Sequence, residues 1–195
     1  MRKKENRNTK GRIVTSAWEL FYEQGYDDTT IEDIVERSET SKGSFYHYFE
    51  SKDSLLSSLS YLFDEKYSEL MQVMDESMNS FDKLMYLNHE LFMMVENKIP
   101  IDLLTQLYAS QIKTNGEKHL LDRNRTYYRL LSKIVLEGQG RGQLRTDVSV
   151  NEIVKAYALC ERGLLYDWCI CNGEYSISQY SSRILPLFLQ SFRLG

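Results

Sequence analysis

The side chains most suited to binding chemistry stand in one short segment, residues 38–56, which reads SETSKGSFYHYFESKDSLL. Lysines and hydroxyl groups can bind phosphate oxygens. A ring edge, an imidazole and a glycine that admits close backbone approach suit base edges in the major groove of DNA. Phe45 and Phe49 are expected to pack inward instead. The residues predicted to contact DNA are Thr29, Thr30, Ser41, Lys42, Gly43, Ser44, Tyr46, His47, Tyr48 and Lys52.

Two short helices must position these side chains. Thr30 can cap a first helix over about residues 30–38, because Asp33 stands three positions later, as in a capping box. Ser41 suits the N-cap of a second helix over about residues 41–47. Two short helices joined by a turn of three or four residues form a helix-turn-helix, so the second helix is the predicted recognition helix.

The next helix is predicted to begin with Ser51 as its cap and to continue without interruption through the apolar repeat of residues 50–78. Lys52 stands at its start, where free backbone N–H groups would add to its charge and favour a phosphate. An earlier helix is expected from about Gly11 until Gly25 ends it. Apolar periodicity predicts the remaining helices at about 81–97, 101–114, 117–139, 149–171 and 176–193.

The whole chain is therefore predicted to be all-α, with a helix-turn-helix DNA-binding domain at residues 1–52 and a helical bundle at 53–195. The chain has 195 residues and a formal net charge of −4. Residues 1–12 hold six basic and one acidic side chain, a charge of +5, which leaves −9 for the rest. A basic arm that precedes an acidic body is typical of a phosphate contact, although it also fits a solvated terminus.

Other classes of site find little support. The three cysteines are odd in number and match no tetrahedral zinc spacing, so neither a disulfide framework nor a metal site is expected. The glycine-rich segment 137–143 lacks the Gly-Lys-Ser/Thr of a phosphate loop and is expected to end a helix. No catalytic motif and no nucleotide fingerprint stands out, so we expect neither an enzyme nor a cofactor. Without an apolar signal or membrane run, we expect a cytoplasmic protein.

The first part of the chain resembles the N-terminal domain of the TetR (tetracycline-repressor-like) transcriptional regulators. The matching positions are Ala17, Leu20, Phe21, Gly25 and Tyr26, then Thr29–Ile34, Ser41–Phe49 and Ser51–Leu56. The resemblance implies a homodimeric repressor that inserts two recognition helices into successive major grooves, ~35 Å apart, of a palindromic operator in double-stranded DNA. It also implies a small-molecule effector that releases the DNA by shifting a conformational equilibrium.

The resemblance places effector and dimer contacts in the C-terminal bundle. Methionine and aromatic side chains suit an adaptable apolar pocket, though they equally suit an ordinary core. The candidate pocket residues are Met85, Met93, Met94, Tyr108, Tyr127, Tyr128 and Trp168. In the family, the last two helices make a four-helix dimer interface. The candidate residues on these helices are Leu164, Leu165, Leu185, Phe188, Leu189 and Phe192.

The turn before the recognition helix departs from the family pattern at two positions. Ser38 and Glu39 stand where Ala-Gly is usual before the recognition helix, and glutamate does not adopt a positive φ easily. We therefore expect either an altered turn or a Glu39 side chain directed away from DNA. Two other functions stay open: a helix-turn-helix regulator controlled by a protein partner through its acidic bundle, and an all-helical enzyme whose helix-turn-helix is vestigial.

Overall fold

The computed structural model describes residues 2–113 and 118–194, with side chains from residue 9 onward. The described residues form α-helices and two short 3₁₀ turns, and the all-α prediction is confirmed. The helices are α1 (Arg2–Gln24), α2 (Ile31–Arg37), α3 (Lys42–Tyr48), α4 (Lys52–Leu56), α5 (Leu59–Val73), α6 (Ser80–Lys98), α7 (Ile101–Lys113), α8 (Thr126–Gly140), α9 (Val150–Ile170) and α10 (Ile177–Leu189). None of these described helices is long and apolar enough to cross a membrane.

Most of the predicted basic arm lies outside the described side chains. Helix α1 begins at Arg2, earlier than the apolar pattern predicted, but the side chains of residues 2–8 are not described. Two basic residues of the arm are described. Lys10 places its Nζ 5.6 Å from the centre of the Phe49 ring, and Arg12 lies 4.0 Å from the Glu39 carboxylate.

The chain divides into two compact units. The first unit comprises Met1–Tyr61 and Pro100–Leu120, and the second comprises Leu62–Ile99 and Leu121–Gly195. Helix α7 packs on α4 within the first unit. The sequence predicted a single division at residue 52, which would have placed α7 and nearly all of α4 in the second domain. The apolar faces of α1 to α4 and α7 supply the first core. Its fully buried side chains include Ile13, Ala17, Ile34, Phe45, Leu55, Leu56 and Leu104.

The second unit is a helical bundle in which α6 packs against both α8 and α10, and α9 packs against α8 and α10. A polar contact joins α5 to the start of α8. Arg125, the N-cap residue of α8, makes no side-chain cap of its own. The Asp64 carboxylate of α5 instead accepts the backbone N–H of Tyr127 at 3.2 Å and two guanidinium N–H groups of Arg125 at 3.1 Å. A carboxylate at this end of a helix also complements the helix dipole.

The predicted uninterrupted helix over 50–78 is wrong, because the chain turns at Ser57 and Ser58 between α4 and α5. Serine hydroxyls there hydrogen-bond to backbone carbonyls that a continuous helix would use as acceptors. Ser57 Oγ donates to the Ser54 carbonyl, and Ser58 Oγ donates to the Leu55 carbonyl. The indole N–H of Trp18 donates to Ser58 Oγ at 2.8 Å, which fixes the turn against α1.

The predicted helix over 117–139 is also too long at its start. A 3₁₀ turn at His119–Leu121 is followed by a polar turn before α8 begins at Thr126. In that turn the Asp122 carboxylate accepts the N–H of Asn124 at 2.9 Å, and its carbonyl accepts the N–H of Arg125. Such an aspartate turn stabilises a non-helical backbone. Asn115-Gly116, the predicted break before this helix, lies outside the described residues.

Candidate nucleic-acid interface and effector site

Helices α2 and α3 form the predicted helix-turn-helix within the first unit. Thr30 caps α2 in a capping box with Asp33, and Ser41 caps α3 by accepting the N–H of Ser44 at 3.1 Å. Both caps were predicted from the sequence and are confirmed. Phe45 is completely buried and Phe49 nearly so, which also confirms their inward packing. Because these rings hold α3 to the core, the opposite side of α3 stays in solvent.

The exposed side of α3 carries most of the predicted DNA contacts. Tyr46 is 55% exposed, Lys42, Gly43 and His47 are exposed, and Ser44 and Tyr48 are half-buried. Thr30 and Ser41 are exposed as well, although their hydroxyl groups already cap the two helices. The structure thus brings these eight predicted residues to one helix-turn-helix surface, and their contact with DNA stays a prediction.

Lys42 is already paired within this surface. Its ammonium forms an ion pair with the Glu32 carboxylate of α2, and both side chains are more than half exposed. The hydrogen bond and charge of Glu32 raise the pKa of Lys42, and the same hydrogen bond lowers the pKa of Glu32. An exposed pair of this kind contributes little to stability, so a phosphate could replace Glu32 as the partner at small cost.

Two predicted contacts are corrected by the structure. Thr29 is 1% exposed, and its hydroxyl donates to the Gly25 carbonyl at 2.7 Å, so it is not available to a phosphate. Lys52 donates to the carbonyls of Tyr26 at 2.6 Å and Thr29 at 2.7 Å, and lies 4.2 Å from the centre of the Tyr26 ring. Burial lowers the pKa of Lys52. Its ammonium therefore closes the loop after α1 and does not face outward at the start of α4.

The turn between α2 and α3 keeps a standard geometry despite Glu39. Glu39 has φ of 51°, the left-handed conformation usually taken by glycine. Its N–H donates to the Glu36 carbonyl at 3.1 Å, and the Thr40 N–H donates to the Val35 carbonyl at 2.9 Å. These two bonds define a Schellman motif with Glu39 at the C′ position. Of the two expected alternatives, the altered turn is therefore wrong. The Glu39 side chain is 88% exposed, and its direction relative to DNA stays a prediction.

The predicted pocket residues do not all belong to one unit. Tyr108 lies on α7 in the first unit, and the other six lie in the second. Met93 is 41% exposed, whereas Met85 and Met94 are half-buried. The remaining three, Tyr127, Tyr128 and Trp168, are buried in the core. Their contact with an effector stays a prediction.

A buried carboxylate that the sequence reasoning missed lies beside Tyr127. Glu161 of α9 is 4% exposed, and it accepts the Tyr127 hydroxyl at 2.6 Å and the Asn88 side-chain amide of α6 at 2.9 Å. Burial raises the pKa of Glu161. Its position four residues after Tyr157 on the buried stripe of α9 was the signal available in the sequence, since a charged residue on an apolar stripe is uncommon.

Four of the six predicted dimer residues instead belong to the core of their own unit. Leu164, Leu165, Leu185 and Leu189 are buried within the chain, whereas Phe188 is 63% exposed and Phe192 is half-buried. The exposed apolar side chains of the two helices stand beside them. These are Leu159, Tyr166 and Ile170 of α9, with Tyr180, Leu187 and Phe188 of α10.

No group of three or more potential metal ligands occurs among residues 9–113 and 118–194. Cys160, Cys169 and Cys171 are not joined in a disulfide, and all three are half-buried. The segment around residues 137–143 ends α8, as expected, through a second Schellman motif with Gly142 at φ of 67°. A third such motif ends α9, with Asn172 at φ of 49°.

Comparison with known proteins agrees with this geometry. A family model described as "Bacterial regulatory proteins, tetR family" matches residues 13–59, and one described as "YsiA-like protein, C-terminal region" matches residues 63–191. The chain is 28% identical to the HTH-type transcriptional regulator QacR of Staphylococcus aureus, across 81% of this chain and 85% of that protein. It is 22% identical to the fatty acid metabolism regulator protein of Bacillus subtilis, across 95% and 96% of the two chains.

The fold is also shared with solved structures. The structure of Thermus thermophilus FadR, described as a TetR family transcriptional repressor in complex with lauroyl-CoA, superposes with a TM-score of 0.76 at 20% identity, across 95% of each chain. The two family models together match the helix-turn-helix and the second unit in chain order. The chain therefore belongs to the TetR family of bacterial transcriptional regulators, which are DNA-binding proteins and not enzymes.

Proposed function

We propose that this protein is a dimeric repressor in the cytoplasm that leaves a palindromic operator when a small molecule binds its second unit. The observation that carries the proposal is the surface of α3. Phe45 anchors the helix in the core, while Lys42, Gly43, Tyr46 and His47 are presented to solvent. A short helix fixed at its back with donors and rings in front is suited to the major groove.

The second unit is the proposed effector-binding part. The Thermus thermophilus neighbour was solved with lauroyl-CoA and the Bacillus subtilis FadR neighbour with stearoyl-CoA, which supports a small-molecule role for the corresponding helices here. The proposed effect is a shift between two conformations of different DNA affinity, because a ligand changes DNA binding only if it prefers one of them.

The exposed faces of α9 and α10 are the proposed dimer interface. Leu159, Tyr166 and Ile170 recur at helical spacing on one side of α9, and Leu187 and Phe188 lie on the solvent side of α10. Exposed apolar residues on two helices that pack against each other suit association with another protein surface. A second copy of the same pair would give the four-helix interface expected for the family and a two-fold axis to match a palindrome.

The test is binding of the purified protein to DNA from upstream of its own gene, measured by fluorescence anisotropy over a range of salt. Lys42→Ala should weaken binding to every sequence and reduce the salt slope by about one. Tyr46→Ala should reduce the preference for the operator. Lys133→Ala removes an exposed lysine of α8 that, like Lys42, pairs with a glutamate; it is the matched control and should leave both quantities unchanged.

Absence of any sequence preference at moderate salt, or binding that neither Lys42→Ala nor Tyr46→Ala alters, would contradict the proposal. Operator binding that no small molecule relieves would instead favour control by a protein partner.

A further inference from the structure

A carboxylate stands beside the first residue of the recognition helix. Glu32 lies in the first turn of α2, and its carboxylate forms an ion pair with the ammonium of Lys42, the residue with which α3 begins. In a helix-turn-helix, the N-terminal residues of the second helix are the ones that contact base edges. Through this pair, the Glu32 side chain lies at the end of α3 that is expected to face the bases.

The two neighbouring acids of α2 have different roles. Asp33 completes the capping box, because its carboxylate accepts the N–H of Thr30 at 2.8 Å and the Thr30 hydroxyl at 2.7 Å. Asp33 also supplies a negative charge that complements the helix dipole. Glu32 extends instead to Lys42, and both of these side chains are more than half exposed, so their pair contributes little to stability. The Glu32 carboxylate is therefore accessible to a partner outside the chain.

The Glu32 carboxylate opposes unselective binding to DNA. Helices α2 and α3 contain two lysines or arginines, Arg37 and Lys42. Arg37 turns to α1, where it pairs with Glu19 at 3.6 Å and with Glu23 at 2.7 Å. Lys42 is thus the ammonium that these helices offer to a phosphate, and Glu32 neutralises it in the unbound protein. A phosphate that approaches Lys42 must replace this carboxylate and is repelled by its charge, whatever the base sequence.

A base edge of the right kind can offset this repulsion. The hydrogen bond with Lys42 lowers the pKa of Glu32, so its carboxyl group stays ionised at neutral pH and only accepts hydrogen bonds. In the major groove, cytosine and adenine present amino groups as donors, whereas guanine and thymine present carbonyl oxygens. An amino group opposite Glu32 is therefore attracted and a carbonyl oxygen is repelled.

We propose that Glu32 is a specificity-determining residue of operator recognition. Its carboxylate accepts a hydrogen bond from the amino group of one cytosine or adenine in each half-site, and it lowers the affinity for DNA that has a guanine or thymine at that position. The inference rests on the proposed operator binding. It assigns to the first turn of α2 a base contact of its own, beside the contacts expected from α3.

The first experiment selects binding sites from a pool of randomised DNA duplexes with the full-length protein and with Glu32→Ala. The wild type should prefer cytosine or adenine at one position of each half-site, and Glu32→Ala should lose this preference and keep the others. Glu23→Ala is the matched control, because it also removes an exposed glutamate that pairs with a basic residue of α2. It should select the same sequences as the wild type.

The second experiment measures, by fluorescence anisotropy, the affinity for the selected site and for the same site with that base replaced by guanine or thymine. The wild type should bind the altered site roughly tenfold more weakly, whereas Glu32→Ala should bind both sites alike. Glu32→Gln should also tolerate both sites, because an amide donates as well as accepts. Both variants should bind unrelated DNA more tightly than the wild type, by a factor that shrinks as salt is added.

The outcomes separate this inference from the proposed function. Selection of the same sequences by the wild type and Glu32→Ala would overturn the inference, and so would a change of affinity that is equal for every sequence. Loss of all base preferences in Glu32→Ala would also overturn it, because the residue would then support the whole helix-turn-helix and not one contact. Each of these results leaves the repressor function standing. A wild-type protein that selects no sequence at all would refute the repressor function itself.

Discussion

Replacing Glu39 by glycine should stabilise the helix-turn-helix. A non-glycine residue in the left-handed conformation costs ~1 kcal/mol, and Glu39 has φ of 51°. Glycine removes that cost but loses ~0.5 kcal/mol through the greater freedom of the unfolded chain. The exposed contact with Arg12 at 4.0 Å contributes almost nothing. The expected net gain is ~0.5 kcal/mol, which corresponds to a rise in Tm of about 1–2 °C.

Glu39→Gln and Glu39→Asn separate the backbone from the charge. Glutamine removes the negative charge and keeps the unfavourable φ, so its stability should match that of the wild type in urea unfolding. Asparagine tolerates this conformation better, as Asn172 does at the end of α9, and should fall between the two. Equal stabilisation by glutamine and glycine, or destabilisation by glycine, would refute the reasoning from φ.

Replacing Glu39 should also change the affinity for DNA. Glu39→Gln and Glu39→Gly both remove one exposed negative charge three residues before α3. Both should therefore increase affinity for unrelated DNA by a similar factor at low salt, and the increase should shrink as salt screens the charge. Anisotropy measured at two salt concentrations checks this, and a gain for glycine alone would point to turn geometry instead.

Four further changes have distinct expected results. Gly138→Ala would place a Cβ 2.7 Å from Ser80 and should destabilise by ~1–3 kcal/mol, whereas Gly140→Ala, with open space around it, should not; urea unfolding compares them. Lys52→Met should lower the unfolding free energy by ~1–3 kcal/mol, since two carbonyls lose their donor. If Lys52 contacted a DNA phosphate instead, the substitution would alter only the salt dependence of DNA binding. Phe188→Glu should yield a folded monomer in light scattering, because the ring is exposed within the chain. Glu161→Gln should flatten the pH dependence of stability. Because the pKa of Glu161 is raised in the folded protein, the unfolded chain releases this proton at a lower pH than the folded protein does. The stability of the wild type therefore falls as the pH rises between the unfolded and folded pKa values, by at most about 1.4 kcal/mol per pH unit.

The sequence predicted those features of the helix-turn-helix that depend on near neighbours. Capping by Thr30 and Ser41 involves partners three residues away, and the inward packing of Phe45 follows from helical spacing. The sequence indicated that a positive φ at Glu39 would be unfavourable, but it did not predict whether Glu39 adopts it. Local sequence gives the energetic cost of a backbone conformation, whereas the surrounding hydrogen bonds and packing decide whether the residue is held in it.

Features that depend on distant partners were not predicted. Lys52 was predicted to contact a phosphate. Its actual acceptors, the carbonyls of Tyr26 and Thr29, lie 26 and 23 residues earlier, too far along the chain for local sequence to indicate the contact. The hydrogen bonds of Glu161 reach across 34 and 73 residues, so the residue looked like an ordinary charge on a helix. The turn at Ser58 likewise depends on the indole of Trp18, 40 residues earlier.

The carboxylate of Asp64 at the start of α8 has a consequence for the order of folding. Since Arg125 provides no side-chain cap, a peptide covering only α8 would begin with its first amides open to water. The Tyr127 amide gains its acceptor, the Asp64 carboxylate, only when α5 packs against the start of α8. Slow hydrogen exchange at this one amide would therefore report that α5 has docked, independently of whether α8 itself is helical.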